Sequence, residues 1–438
     1  MISDFLPPKP RKPNRIEPLS DTSKPTGPPL HEQAKAADPT FKTPEEVAAE
    51  EAEQPSPFLP MVVDQPPAPN KPGKQQRLKR RRFSLGISWG WGRKRLIIAG
   101  ATLAVLLLAG TAAAWAQLHH TGPKPVAVKK TVVKEPAPPP PVYSTLTGLQ
   151  VADETVNQRP VTGIMIENSM DARPQSGLGD AGVVFEAIAE GGITRFLALY
   201  QDSAPADIGP IRSARPYYIQ WLLGFDAAYA HVGGSPQALS DIKSLGVKDM
   251  NQFAYGGYYH RITTRAAPHN VYTSMSTLNQ LESERGYTST YTGFARATKE
   301  EPSKTPDATS IDFDVSSYTY NPHYAYNATT NSYDRSEAGA AHMDAGSGKQ
   351  ISPKVVVAMV LPFGRGEPNG SGYYSDYKVI GSGTAYIFQN GTVITATWTK
   401  TANTTQITFT DPAGKAVPLA PGNTWISAVS ATSSVSYK

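Results

Sequence analysis

Hydrophobic and polar positions divide the chain into stretches of different character. Residues 1–75 are polar and proline-rich with no sustained apolar period, and are expected to form a disordered tail. Leu96–Leu118, LIIAGATLAVLLLAGTAAAWAQL, runs 23 residues without a charge. As a helix it rises about 34 Å, enough to cross a hydrocarbon core of about 30 Å. Beyond it, HHTGPKPVAVKKTVVKEPAPPPPVY within 119–145 predicts an extended polyproline spacer. From Val161 onward, short apolar runs separated by turn residues replace these patterns, as in a folded domain.

Several elements follow from that alternation. VTGIMIEN, Val161–Asn168, predicts a first strand. VVFEAIAE and ITRFLALY flank Gly191-Gly192, the signature of a two-residue hairpin. A regular ladder from that turn pairs Ile188 with Arg195. It puts Phe185, Ala187, Phe196 and Ala198 on a core face and Arg195 within reach of both Glu186 and Glu190. Ser213 is the expected cap of a helix opened by Pro216. Ala227–Val232 predicts a buried strand that runs into Gly233-Gly234, with Ser235 as N-cap and Pro236 as first residue of a helix through Leu245. A short helix is expected over Ser274–Arg285. From Ile311 the chain is rich in Thr, Ser, Tyr and Val. VVVAMVLP, GTAYIFQ, TVITATWTK, TTQITFTD and TWISAVS predict strands, and Asn390-Gly391 a type I′ turn. YDRSEAGAAHMDAGSG reads as a loop carrying Tyr333, Arg335, His342 and Asp344.

Charge fixes the orientation. Ten Lys/Arg and no acids lie between Lys71 and Arg95, against four lysines and Glu135 after the apolar run. The positive-inside rule therefore keeps the N-terminus cytoplasmic and the C-terminal domain extracytoplasmic, on a single pass through the cell membrane. The net charge of +5 is confined to the N-terminal part, since residues 145–438 hold 21 Lys/Arg against 25 Asp/Glu. The folded domain thus has no basic surplus for nucleic acid, which is not an expected partner. The chain has no cysteine, which excludes disulfides, thiolate metal sites and a Cys nucleophile. The expected organisation is a tail (1–75), a basic juxtamembrane segment (76–95), the span (96–118), a linker (119–145), an α/β module (146–290) and an antiparallel, β-rich module (305–432) packed on it.

The stretches GIMIEN, ARPQSGL, FEAIAEGGITRFLALY, IGPIRSARPYY, HVGGSP, RAAPHNVYT, YDRSEAGAAHMD and PGNTWI, spread from Gln158 to about Val429, resemble the YerB-like family of envelope lipoproteins. The resemblance implies an α+β fold, a mixed layered β/α sandwich with a β-rich C-terminal module. It implies no established activity and carries over no functional residues. The lipidated cysteine of the lipoprotein pattern is missing, and the transmembrane helix is the expected replacement anchor.

The candidate chemistry centres on arginines beside glycine turns and helix starts: Arg173, Arg195, Arg212, Arg215 and Arg265. Guanidinium forks match phosphate oxygens bidentately. Ser213, His231, Gly233, Gly234, Ser235, His269 and Asn270 lie at the same turns, and a strand–glycine–helix start is a general anion-binding arrangement. Glu186 and Glu190, with Asp180, leave room for a divalent cation, although no cofactor is required and no metal motif is present. Arg335, His342 and Asp344 are secondary candidates. The expected ligand is an anionic envelope component, a phosphate or pyrophosphate such as a lipid-pyrophosphate precursor, and the residues do not decide between binding and turnover. An alternative is a non-catalytic scaffold for a cell-wall polymer or envelope protein, in which Tyr255, Tyr258, Tyr259, Tyr373, Tyr374 and Tyr377 stack on sugars. A third reading is a metal-dependent hydrolase using His231, His269, His342 and Asp344.

Overall fold

The computed structural model describes residues 110–111, 114–115, 140–370 and 372–438. The expected tail, basic segment and most of the linker lie outside the described residues. So does the expected span, except for four helical residues, Gly110, Thr111, Ala114 and Trp115. Among the described residues no helix is long and apolar enough to cross a membrane. The chain divides into two compact units, Met1–Lys129 and Lys130–Lys438, and the second holds every strand among the described residues.

The first part of this second unit contains β1 (Val142–Tyr143), β2 (Gln150–Val151), β3 (Thr162–Glu167), β4 (Val183–Glu190) and β5 (Ile193–Tyr200). Next come α1 (Pro216–Leu223), β6 (Ala228–His231), α2 (Pro236–Ser244), β7 (Lys248–Asn251), β8 (His260–Arg261), β9 (Val271–Tyr272) and α3 (Met275–Arg285). The rest is β-rich: β10 (Ser310–Phe313), β11 (Pro322–Asn327), β12 (Ser332–Glu337), β13 (Ala340–Ala341), β14 (Val355–Val360), β15 (Phe363–Pro368) and β16 (Tyr373–Tyr377). It ends with β17 (Gly381–Gln389), β18 (Thr392–Lys400), β19 (Thr408–Thr410), β20 (Thr424–Val429) and β21 (Val435–Tyr437).

Ten of these strands form one mixed sheet, in the order β19-β18-β17-β14-β20-β4-β5-β3-β6-β7. The C-terminal strands were expected to make an antiparallel module lying against the first. Instead β20 runs parallel to both β14 and β4, so strands from both parts share one hydrogen-bonded sheet. The runs explain why: VVVAMV is apolar throughout and every residue of TWISAV is buried, as in strands covered on both faces. One face of the sheet packs α1 and α2 in a core containing Phe185, Leu197, Leu199, Trp221 and Leu222. Gly163 makes this approach close, because a Cβ there would stand 2.2 Å from Leu222. The other face packs α3 and a five-stranded antiparallel sheet, β13-β12-β11-β10-β21, around Phe196, Tyr324, Tyr333 and Trp425.

The β4–β5 hairpin departs from the regular ladder. Gly191 and Gly192 both take positive φ, as a type I′ turn requires, and Glu190 pairs with Ile193 as expected. A bulge between Ile188 and Glu190 then shifts the register, so that Ile188 opposes Thr194 and Ala187 opposes Arg195. Tyrosine hydroxyls meet the backbone groups that leave the ladder: Tyr217 donates to the Ile188 carbonyl at 2.6 Å, and Tyr377 accepts from the Ile188 N–H at 3.2 Å. The shift reverses side-chain parity. Phe185 and Ala187 share a face with Arg195, whereas Phe196 shares the opposite face with Glu186. Arg195 therefore reaches Glu190 and not Glu186.

Two further expectations are corrected. Arg215, not Ser213, is the N-cap of α1, and it offers no side-chain cap bond. The segment from Tyr333 is not a loop: Tyr333 and Arg335 lie on β12, paired throughout with β11, and Ala338-Gly339 turn the chain into β13. The Ser235 cap of α2 is present, its hydroxyl accepting from the Ala238 N–H at 3.2 Å, as is the Ser274 cap of α3. Asn390 and Gly391 both have positive φ in the two-residue β17–β18 turn.

Candidate functional site

The parity change in β4 sends its two carboxylates to opposite faces of the large sheet. Glu186 enters the layer between the sheets, where it is fully buried. Its carboxylate accepts from Arg335 at 2.9 and 3.1 Å, from the Trp425 indole at 2.9 Å and from Ser427 at 3.0 Å. Arg335 is equally buried and also faces Glu337 at 3.3 Å, with its guanidinium carbon 4.6 Å from the Trp425 ring centre. Burial works against the charge on Arg335, but Glu186 and Glu337 outweigh it, and its pKa lies above the ordinary arginine value. Burial raises Glu337, against the pull of Arg335 and Arg173. His342 accepts from Arg335 through Nδ1 and donates from Nε2 to Gln175 at 2.8 Å. Burial and then the two arginines hold its pKa well below the usual histidine range, so the ring is neutral. Arg173 closes the cluster, 3.3 Å from Glu337 and donating to Asn168 and to the Thr319 carbonyl. Two carboxylates and two guanidiniums thus meet in a charge-balanced knot tying β4, β12 and β20 together.

Glu190 lies on the helix-covered face. It pairs with Arg195 at 2.8 Å and with Arg215, whose Nε donates at 3.0 Å. Burial acts to raise the Glu190 carboxyl, but Arg195 and Arg215 hold it below the usual range. Arg212 pairs with buried Glu167 at 3.0 Å, and His269 lies 2.8 Å from the second oxygen of the same carboxylate. Burial lowers the pKa of both Arg212 and Arg215. Arg265 donates to the carbonyls of Asp171 and Pro174, fastening one loop to another, and Asn270 accepts from Arg261.

The glycine turn is built differently from an open anion cradle. His231 contacts the Gly233 carbonyl through Nδ1 at 2.7 Å and Asp249 through Nε2 at 2.9 Å. Gly234 bridges to Ala214, and at the start of α2 the Gln237 N–H donates to Glu367 of β15 at 3.0 Å. A carboxylate of the chain itself therefore sits at the helix terminus. Asp344 accepts the N–H groups of Gly179 and Ser347, and Asp180 is raised by burial and by Asp344. The five arginines set aside for a phosphate do not share one open pocket: Arg195 and Arg215 meet at Glu190, Arg212 lies at Glu167, Arg173 at Glu337 and Arg265 at loop carbonyls. The metal reading fails on position: His231, His269 and His342 have different partners in different clusters, and among the described residues no group of three His, Cys, Asp or Glu is arranged to hold a metal.

The open space lies elsewhere. A cleft of about 1050 Å³ runs between the β4–β5 turn, with residues 314–316, and the arm formed by β15 and β16. Tyr377 and Ile188 form its floor. Phe363 and Tyr373 line it while remaining 45% and 50% exposed. The knot and the cleft meet at β4, and Arg215 braces the arm by lying 4.7 Å over the Tyr374 ring. The tyrosine series of the sequence therefore splits. Tyr373, Tyr374 and Tyr377 line the cleft, whereas Tyr259 donates to the Met250 carbonyl on edge strand β7 and Tyr258 to Glu284. Sequence reasoning missed Phe363 and Arg365. The period-two run of FGR against YYSDY was their only signal.

The comparisons with known proteins agree with this fold. Residues 146–288 match the model described as "Protein of unknown function (DUF3048) N-terminal domain", and residues 311–426 match the DUF3048 C-terminal domain. The chain is 32% identical over 307 residues to the "Putative lipoprotein YerB" of Bacillus subtilis (strain 168), covering 69% of this chain and 88% of that protein. It is also similar to the crystal structure of the YerB protein from Bacillus subtilis, with a TM-score of 0.61 at 30% identity over 68% of this chain and 99% of that one. The same motifs that build the knot, ARPQSGL and YDRSEAGAAHMD, fall inside the two matched domains, and the chain belongs to the YerB-like family of DUF3048 proteins.

Proposed function

We propose that the chain is a membrane-anchored cell-envelope protein whose extracytoplasmic domain is a non-catalytic binding module. Two observations support the location: the relative's name describes a lipoprotein, and this chain carries the uncharged run Leu96–Leu118 where an anchor would stand. The observation that carries the binding reading is the cleft, with two half-exposed aromatic rings turned into a wide, open space. The anionic-ligand reading needs an uncompensated cation, and the guanidiniums that motivated it are engaged by carboxylates or carbonyls. Their work is architectural. Retention of the full chain, in detergent, on isolated cell-wall material tests the proposal. Ser375→Trp, which fills the cleft, is expected to abolish retention with the thermal midpoint unchanged. Retention equal to the parent chain would remove the cleft from the account.

A further inference from the structure

Resting on that reading of the cleft, we infer that its ligand is a neutral glycan strand whose pyranose faces lie on Phe363 and Tyr373. The register of the arm pairs Phe363 with Tyr377 and Arg365 with Ser375, so these four share a face with Tyr373. Tyr373 and Tyr377, four residues apart, are separated by about 13 Å along the strand. Phe363 packs against Tyr377, ring centres 4.9 Å apart, so an exposed ring stands at each end of the row. That is a platform for several consecutive sugars rather than for one small molecule, and the cleft volume agrees.

Charge decides against a phosphate polymer. Among the described residues Arg365 is the one cation lining the cleft, and it lies over the Tyr373 ring at 5.3 Å. Glu190 and Asp314 line the same space. Polyanions gain affinity from clustered cations, and a single guanidinium beside two carboxylates is the opposite arrangement. What the lining offers beside the rings is neutral hydrogen bonding from Ser316, Ser375, Ser430 and Asn369. Asn369 adds a side-chain amide to these hydroxyls. Aromatic faces with neutral hydrogen-bonding groups between them suit the apolar C–H faces and equatorial hydroxyls of a sugar chain.

The test is calorimetric titration of the full chain, in detergent, with a hexamer of N-acetylglucosamine. Binding is expected and should change less than about twofold between low and high salt, because the ligand carries no charge. Tyr373→Ala and Phe363→Ala should each weaken it about tenfold, whereas Tyr373→Phe should keep it within about twofold. Absence of hexamer binding, or salt-sensitive binding of a polyglycerol phosphate probe in its place, overturns the glycan assignment. If the hexamer fails while Ser375→Trp still releases the chain from wall material, the cleft survives and only the ligand class falls. If Ser375→Trp releases nothing, the cleft falls as well.

Discussion

The two ends of one short sequence, Glu186 and Glu190, sit in opposite kinds of surroundings. Glu186 is sealed between two sheets and meets a guanidinium, an indole and a hydroxyl, all from strands far away in the chain. Glu190 is 27% exposed at a cleft edge and meets two arginines from the next strand and the next helix. The first carboxylate organises the interior, and the second holds up a wall. The difference shows that a count of arginines near acids says little about function until the face each one occupies is known.

Breaking the interior side of that comparison should have the largest effect. Arg335→Ala leaves Glu186 and Glu337 buried without their common cation, and a loss of about 3–5 kcal/mol is expected in urea melts. Stability within about 1 kcal/mol of the parent would mean that the knot relaxes freely.

Glu282 sharpens the comparison, being a buried carboxylate with a threonine rather than an arginine for company. Thr162 donates to it at 2.6 Å, its second oxygen has no partner among the described residues, and burial pushes its pKa up to about 7. A carboxyl raised in the folded state favours the protonated form. Its stability is therefore greatest below the unfolded value near 4.5 and is lost as pH rises to about 7. The loss is on the order of 3 kcal/mol, and Glu282→Gln should abolish that slope in melts recorded across this range. An unchanged slope would assign the pH dependence to other groups.

On the cleft side, Glu190→Gln should cost on the order of 1 to 2 kcal/mol of stability, because the arginines keep a neutral acceptor. Urea melts check this, and cleft binding should weaken with it, because Glu190 lines the cleft beside the Arg215–Tyr374 contact. The smallest effect belongs to a pair outside both regions. Lys299 and Glu301 meet at 3.1 Å with both side chains largely exposed, and Lys299→Ala should leave the melting midpoint within experimental error.

Local chemistry was legible in the sequence. The Gly191-Gly192 and Asn390-Gly391 turns, the Ser235 cap and the apolar strands needed only neighbouring residues to be recognised. The bulge at Ala189 was not legible, because it depends on hydroxyls of Tyr217 and Tyr377, which reach Ile188 from elements distant in sequence. One inserted residue was enough to take Glu186 out of reach of Arg195 and leave Glu190 as its carboxylate partner. The merged sheet was hidden for a similar reason: an apolar run does not name its neighbour. Of the candidate site residues, Glu186, Arg335, His342 and Arg173 do meet, but as an internal brace. Phe363 and Arg365 stood unnoticed in a glycine-rich arm whose exposure no local pattern announces.

The slot taken by β20 bears on biogenesis. A ribosome delivers this strand after the other nine of the large sheet, yet it is the piece that joins β14 to β4. Until residues 424–429 emerge, both neighbours present open edges to any passing chain, and the nascent protein has long stretches already made but nothing to close them. A frameshift just before Thr424 would leave both edges unpaired, and an aggregating remnant rather than a shortened domain is expected.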